Sequence, residues 1–456
     1  MEFVFSPVEK FNIIYITLLS YIQGIYLKMA LMDLMGLGAD KQAVVLDIGT
    51  EFTKVGFAGE HAPRHIIRTE IKKMINGELR SVKLFDKPNP SDSEAFCLYK
   101  EFFHMLYFKY LLVNPKERRV VICESMLKPI HIRNTIARVL FRHFEVVSIV
   151  FIPNHLLALF AVGIQTGLVI DCGYTETTVV PIYEQIPILT AMEYIDLAGK
   201  AVHESINKHI TENAIVEIKG EEKSAKSNLS LCESVLEDIK VRCCFVGRHA
   251  TDLVAVPVRY PLGGDKVLHI DGKLRAHAMD MLFEGNEEDQ SIVTFVLDAI
   301  LKCPIDCRKE LMQNIVLIGG SVMSPGFDSR LFAELKFLLS SDSYNNRLFV
   351  KKITFRNSPV PANYCAWQGG ALFGALEILG DHSISRERYH VDPNIPDWSS
   401  VLSLNKEDVS KSLLDDKYKW TSLRKSLSTS SPTTVPPSTS GGSLSERLKK
   451  ELGLSK

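Results

Sequence analysis

Three short apolar runs, each ending in a glycine turn, punctuate this chain. Val44 to Ile48 is broken only by Asp47, while Leu168 to Ile170 and Ile315 to Ile318 are uninterrupted. Runs of this length, rich in β-branched residues, have the pattern of strands covered on both faces. The first two close on Asp-x-Gly, at Asp47-Ile48-Gly49 and Asp171-Cys172-Gly173, and the third on the pair Gly319-Gly320. Between them the period changes. Apolar positions at 98, 102, 103, 106, 107 and 110 predict a helix over 95–112, and a strand at Arg119 to Glu124 leads into a helix over 132–144. Further helices are expected over 291–301 and 330–339, and hairpins at Thr177 to Tyr183 and around Gly272. Residues 69–94 are polar and weakly patterned, and 211–230 have the composition of a mobile insertion.

The glycine turns suggest a chemistry. Glycine lets backbone approach a ligand closely, and consecutive turn amides can cradle phosphate oxygens. An Asp at each strand end can hold waters of a phosphate-bound magnesium ion. The pair Gly319-Gly320 leaves room for a flat base or ribose against the backbone. One Asp-x-Gly is weak evidence; two, a domain-sized stretch apart and each opening a hairpin, are more specific.

Composition narrows the class. With 456 residues, 46% hydrophobic and 23% charged, the chain can bury two large cores. A formal net charge of −1 gives no general electrostatic case for nucleic acid. Nine scattered cysteines without a CxxC pair favour free thiols over a disulfide framework or zinc site.

The three segments, in this order, resemble the two phosphate loops and the adenosine motif of the actin family, and the resemblance extends over about residues 43–390. It implies an α/β, actin-like ATPase fold: two related lobes around a central nucleotide cleft, with a reduced outer subdomain in the first lobe. The expected segments are an amino-terminal extension at 1–40, a first lobe at 41–170, a second at 171–365, a return to the first at 366–400 and a flexible tail at 401–456. The cofactor implied is ATP or ADP with magnesium. Its expected contacts are Asp47, Gly49, Thr50, Lys54, Asp171, Gly173, Lys240, Gly319, Gly320, Ser321 and Met323, with Asp47 and Asp171 reaching the metal through water. Asn154 stands where the family places a water-positioning glutamine, and capping the helix that begins there is the expectation put ahead of that role.

Several positions depart from the family. Glu51 replaces a small residue, and a carboxylate aimed into the cleft would repel a triphosphate by about 1 to 4 kcal/mol. Tyr174 and Thr175 stand where Asp and Gly are usual, Val241 where a ribose-binding acid is usual, and Asn363 in place of an adenine-facing lysine. These changes point to slow or absent hydrolysis and a structural role, rather than to an active ATPase of the actin, sugar-kinase and chaperone superfamily.

Within the family the resemblance is to the divergent branch at the pointed end of dynactin. It implies a cap on the actin-related filament of that complex, with the filament subunit and the other pointed-end subunits as partners and dynein at one remove. The cytoplasm and cytoskeleton are the expected location, and neither nucleic acid nor a membrane is an expected partner. A nuclear subunit of a chromatin remodeller is the alternative. Residues 1–28 are strongly apolar, with nearly neutral flanks unlike those of a signal sequence. Translation from Met29, Met32 or Met35 is the first expectation for this stretch, ahead of a partner-binding helix and a membrane anchor.

Overall fold

The computed structural model describes residues 41–395, apart from 86–89, 214, 219–220, 225–230, 249–254, 286–289, 351 and 377–378. The apolar stretch at 1–28 and the tail at 401–456 lie outside these residues. No helix among the described residues is long and apolar enough to cross a membrane.

The first sheet is built from β1 (Val44–Ile48), β2 (Phe52–Phe57), β3 (His65–Arg68), β6 (Arg119–Glu124) and β7 (Ser148–Pro153). Its edge is completed late in the chain by β17 (Ile384–Ser385), giving the order β17-β7-β6-β1-β2-β3. Strands β1, β6 and β7 run parallel, so they are covered on both faces and read as continuous apolar runs. A separate hairpin, β4 (Glu70–Ile75) with β5 (Glu78–Lys83), turns at Asn76 and Gly77, both with positive φ. An Asn-Gly pair is suited to this two-residue turn. The polar stretch 69–94 therefore contains a hairpin and a helix start.

That helix, α1 (Asp92–Met105), begins three residues before the expected position because Ser91 and Glu94 form a capping box. The chain continues from Leu106 to Leu111 in π-helical turns. Helix α2 (Ile130–Arg142) crosses from β6 to β7, and α3 (Asn154–Val162) follows β7. Phe102, Phe103, Tyr107 and Phe141 are fully buried beside Val44 and Leu46, forming the core of this half.

The second half repeats the opening move. Strand β8 (Gly167–Cys172) turns into β9 (Thr177–Tyr183), with β10 (Ile186–Pro187) and β11 (Glu193–Ile195) on β9. Helix α4 (Gly199–Asn213) leads to a four-stranded antiparallel sheet containing β12 (Ile215–Ile218), β13 (Glu221–Ser224), β14 (Val258–Gly263) and β15 (Lys266–Ile270). Two expectations are corrected here. The polar stretch 211–230 contributes β12 and β13, which pair with each other and, through β12, with β15. The later hairpin turns at Gly263 and Gly264, whereas Gly272 starts the helix α6 (Gly272–His277), which follows α5 (Glu233–Cys243). Asp271 caps α6, its carboxylate accepting from Leu274 N at 2.6 Å.

Helices α7 (Ile292–Lys302) and α8 (Ile305–Met312) precede β16 (Ile315–Ile318), which pairs in parallel with β8. Helix α9 (Phe327–Leu339) starts earlier than expected, at the left-handed Gly326. A short helix, α10 (Asp342–Asn345), ends this half.

The return segment joins the halves. Helix α11 (Cys365–Gly374) packs on α3 so closely that a Cβ at Gly369 would lie 2.0 Å from the Leu157 carbonyl oxygen. Buried Trp367 donates from Nε1 to the Val45 carbonyl at 3.1 Å, fixing the helix on β1. After α12 (Leu379–His382) and β17, α13 (Arg386–Val391) closes the described chain, with Tyr389 stacked on Phe141.

Because Gly369 meets backbone rather than a flexible side chain, Gly369→Ala is expected to destabilise the protein by about 1–3 kcal/mol. A thermal melt checks this; an unchanged melting temperature would contradict the close approach of α3 and α11.

Candidate functional site

The strand ends Asp47 and Asp171 converge because each lies at the carboxyl end of a parallel pair, β1 with β6 and β8 with β16. Each strand then makes the same two-residue turn. Gly49 N donates to the Phe52 carbonyl at 3.1 Å, and Gly173 N donates to the Glu176 carbonyl at 3.1 Å. Thr50-Glu51 and Tyr174-Thr175 thus occupy equivalent turn tips. The hydroxyls of Thr50 and Thr175 stand 3.5 Å apart, so the two turns touch.

A lysine sits between the carboxylates. Lys54 lies opposite Asp47 in the β1–β2 register and donates to Asp47 Oδ2 at 2.9 Å. Burial works against the Lys54 charge, but attraction to Asp47 and to Asp171 outweighs it and raises the ammonium above its ordinary range. Asp171 fares differently. Burial pushes its carboxyl up to about 6, with Lys54 pulling the other way and Asp47 and Glu176 adding to the rise.

The third segment completes this wall. Gly319 has φ +99, and a Cβ there would lie 2.2 Å from the Cys172 carbonyl oxygen and 2.8 Å from Asp171 Oδ1. Only glycine satisfies both conditions. Gly320, by contrast, faces open space. Ser321 donates to the Gly173 carbonyl at 2.9 Å, tying this turn to the second loop. Met323 is half-exposed beyond it.

Of the expected contact residues, the structure therefore groups Asp47, Gly49, Thr50, Lys54, Asp171, Gly173, Gly319, Gly320 and Ser321. Lys240 is buried on α5 and paired with Glu237 at 2.5 Å, a carboxylate that also meets His203 Nε2 at 2.8 Å. Burial opposes the charge on Glu237, yet His203 and Lys240 outweigh it and hold its pKa at about 2. Lys240 thus already has a carboxylate partner, and Glu237 supplies an acid one turn before Val241.

Asn154 does not cap its helix. Pro153 holds the N-cap position and no side chain caps the helix there, while the Asn154 side-chain oxygen is buried without a protein partner. Asn363 also has a buried, unpartnered side-chain oxygen, beside Ala362, whose carbonyl accepts from Gly319 N at 3.1 Å. Buried polar atoms of this kind call for a ligand or water. Next to Asn154, buried His155 bonds Thr178 Oγ1 at 2.8 Å, and burial pushes its imidazole down to about 4, so it is neutral at physiological pH.

Glu51 turns away from the cleft. Its carboxylate pairs with Arg68 on β3 and with Lys83 on β5 at 3.0 Å. Two cations neutralise it, which removes the expected repulsion of a polyanion.

Sequence reasoning missed four groups around the cleft. Lys128 donates to the Ile48 carbonyl at 2.8 Å; burial pulls its pKa down, with Glu124, Asp47 and Glu176 pulling the other way. At Glu176, directly after the second turn, burial and Asp196 push the carboxyl up, with Lys128 and Ser125 pulling the other way. Lys83 and Glu233 form an ion pair between β5 and the start of α5. Each of these contacts joins positions distant in sequence, and no local pattern announces it.

All nine cysteines are free thiols, seven buried and Cys97 and Cys232 exposed. No group of three or more His, Cys, Asp or Glu suited to direct metal ligation occurs among the described residues.

The raised pKa of Asp171 has a definite sign. In the folded state its neutral form is favoured, so ionisation costs stability above about pH 6 and nothing below the ordinary value of 3.8. Asp171→Asn is expected to stabilise nucleotide-free protein near pH 7.5 by roughly 2 kcal/mol and to have little effect near pH 4. Melting curves at the two pH values check this; equal shifts at both would contradict the assignment.

The actin family profile matches residues 38–392. Actin-related protein 10 of Dictyostelium discoideum is 29% identical over 479 aligned positions, covering 90% of this chain and 99% of the relative. Putative actin-29 of the same organism is 27% identical over 379 positions, covering 76% of this chain and 94% of the relative. The chain belongs to the actin family and has its α/β fold, two related lobes about a central cleft.

Proposed function

We propose that this protein is a structural subunit of dynactin that caps the pointed end of its actin-related filament, and so supports dynein-based transport along microtubules. The observation that carries this reading is the outer hairpin of the first lobe. Strands β4 and β5 are joined by the tight Asn76-Gly77 turn, and only residues 84–91 lie between β5 and α1. This leaves no long loop to insert into a further subunit. The resemblance of the whole chain to an actin-related protein supports the same reading.

The mechanism is one of asymmetry. Around Gly163, Ile164, Ile186 and α13 lies the face that, by resemblance, docks on the terminal filament subunit, and Ile186 is exposed there. The opposite end offers the hairpin, with Met74 and Leu79 exposed at its tip. A subunit with one docking face and one shortened end terminates a polymer. Its partners are then the filament subunit and the other pointed-end subunits, and its place is the cytoplasmic cytoskeleton.

The cleft fits ATP or ADP with magnesium in this reading. Asp47 and Asp171 would hold the metal through water, the turns at Gly49 and Gly173 would face phosphate, and the open side of Gly320 would face the base or ribose. Lys54 and Thr50 stand at the phosphate end, with Lys240, Ser321 and Met323 beyond it. The unpartnered oxygens of Asn154 and Asn363 favour a polar occupant. Bound nucleotide would supply a further bridge between the lobes. Asn154 has a shorter reach than glutamine, which supports a structural rather than a catalytic role.

The test is affinity purification of the tagged protein, expressed as the full chain and from Met29, with identification of stoichiometric partners and bound nucleotide. Recovery with the dynactin filament and pointed-end subunits is expected, with ATP or ADP in the sample. Recovery with chromatin-remodelling subunits, or alone with steady nucleotide turnover, would overturn the reading.

A further inference from the structure

The second turn carries three consecutive side chains, Tyr174, Thr175 and Glu176, and each meets a group of the first lobe. The Lys83 ammonium stands 5.6 Å from the centre of the Tyr174 ring and pairs with Glu233, to which the Tyr174 hydroxyl donates at 3.3 Å. Thr175 meets Thr50 at 3.5 Å. At Glu176, next in the chain, burial pushes the carboxyl up, and Lys128 and Ser125 of the first lobe pull the other way. These contacts come from three separate elements of the first lobe: the β4–β5 hairpin, the first turn and the segment after β6.

The geometry points to a clasp: Tyr174-Thr175-Glu176, with Lys83 and Glu233, holds the cleft closed by protein side chains alone. Closure then does not depend on a γ-phosphate or a metal to draw the two turns together. Lys83 is the pivot, because it also holds Glu51 beneath the first turn, and Arg68 on the other side of Glu51 keeps that carboxylate in place. A lobe arrangement fixed in this way gives a subunit whose shape is the same with or without nucleotide. The inference concerns the lobes themselves and stands apart from both the capping assignment and the cleft's occupant.

Hydrogen exchange of the amides at 48–53 and 172–178 tests it in the full chain, after nucleotide is removed by a phosphatase and gel filtration. In the unaltered protein, protection is expected to be the same before and after removal. In Lys83→Met and Glu233→Gln, protection of both turns in the stripped protein is expected to fall by about tenfold or more. Should Lys83→Met fail to fold, Glu233→Gln carries the test, since it leaves Lys83 and Arg68 on Glu51. Loss of protection in the stripped unaltered protein, or unchanged protection in a folded Glu233→Gln variant, would overturn the clasp. Adding ATP to the stripped variants separates the two readings. Restored protection supports nucleotide binding, and its absence counts against that reading alone once the variants have lost protection.

Discussion

Two carboxylates brought together from the ends of strands in two different sheets need a cation to stay charged in a half-buried cleft, and Lys54 is the protein's own answer. Its position is fixed by register: opposite Asp47 on β2, it is aimed across the cleft at Asp171. Burial still raises the pKa of Asp171, with Asp47 and Glu176 adding to the rise and Lys54 opposing it. One ammonium neutralises one carboxylate well and the second incompletely. The equivalent position to Lys54 in the second hairpin is Thr178, opposite Asp171, and there the partner is neutral His155. The two halves share a backbone device but not its charge.

What the sequence made legible was set by range. Apolar runs located β1, β8 and β16 because parallel strands buried on both faces cannot tolerate much polarity, and glycine marked the turns because Gly319 must adopt φ +99 against a carbonyl. Helix starts were less legible. The capping box at Ser91 and Glu94 lay in a stretch already read as irregular, and Pro153 displaced Asn154 from the cap. The strands at 215–218 and 221–224 were hidden because the charged run Glu221-Glu222-Lys223 resembles an insertion when taken without the pairing to β15 through β12.

The direction of Glu51 was illegible for a different reason. It depends on Arg68 and Lys83, residues separated from it by 17 and 32 positions and placed there by β3 and β5. A substitution that looks prohibitive beside a phosphate is harmless when two cations turn it away. Tyr174 reverses its apparent meaning in the same manner. Beside a phosphate it is an obstruction, whereas beside Lys83 and Glu233 it is one side of an interlobe contact. Departures from a family pattern at a ligand site are therefore informative only once their new partners are known.

These partners also bear on how a polymer end can be stable. A filament subunit that opens and closes with its nucleotide presents a changing face to its neighbour, and the neighbour's affinity changes with it. A terminal subunit gains nothing from that variation. The ion pair of Lys83 with Glu233 is partly exposed, with side chains 23% and 44% accessible, so by itself it contributes modestly. Its effect comes from convergence: the same turn is also met by Thr50, with Lys128 attracting the next residue, Glu176, so these interactions share a single ordering cost. Several weak contacts on one rigid turn can hold a hinge that none of them would hold alone, and the β4–β5 hairpin contributes by bringing Lys83 to the second turn.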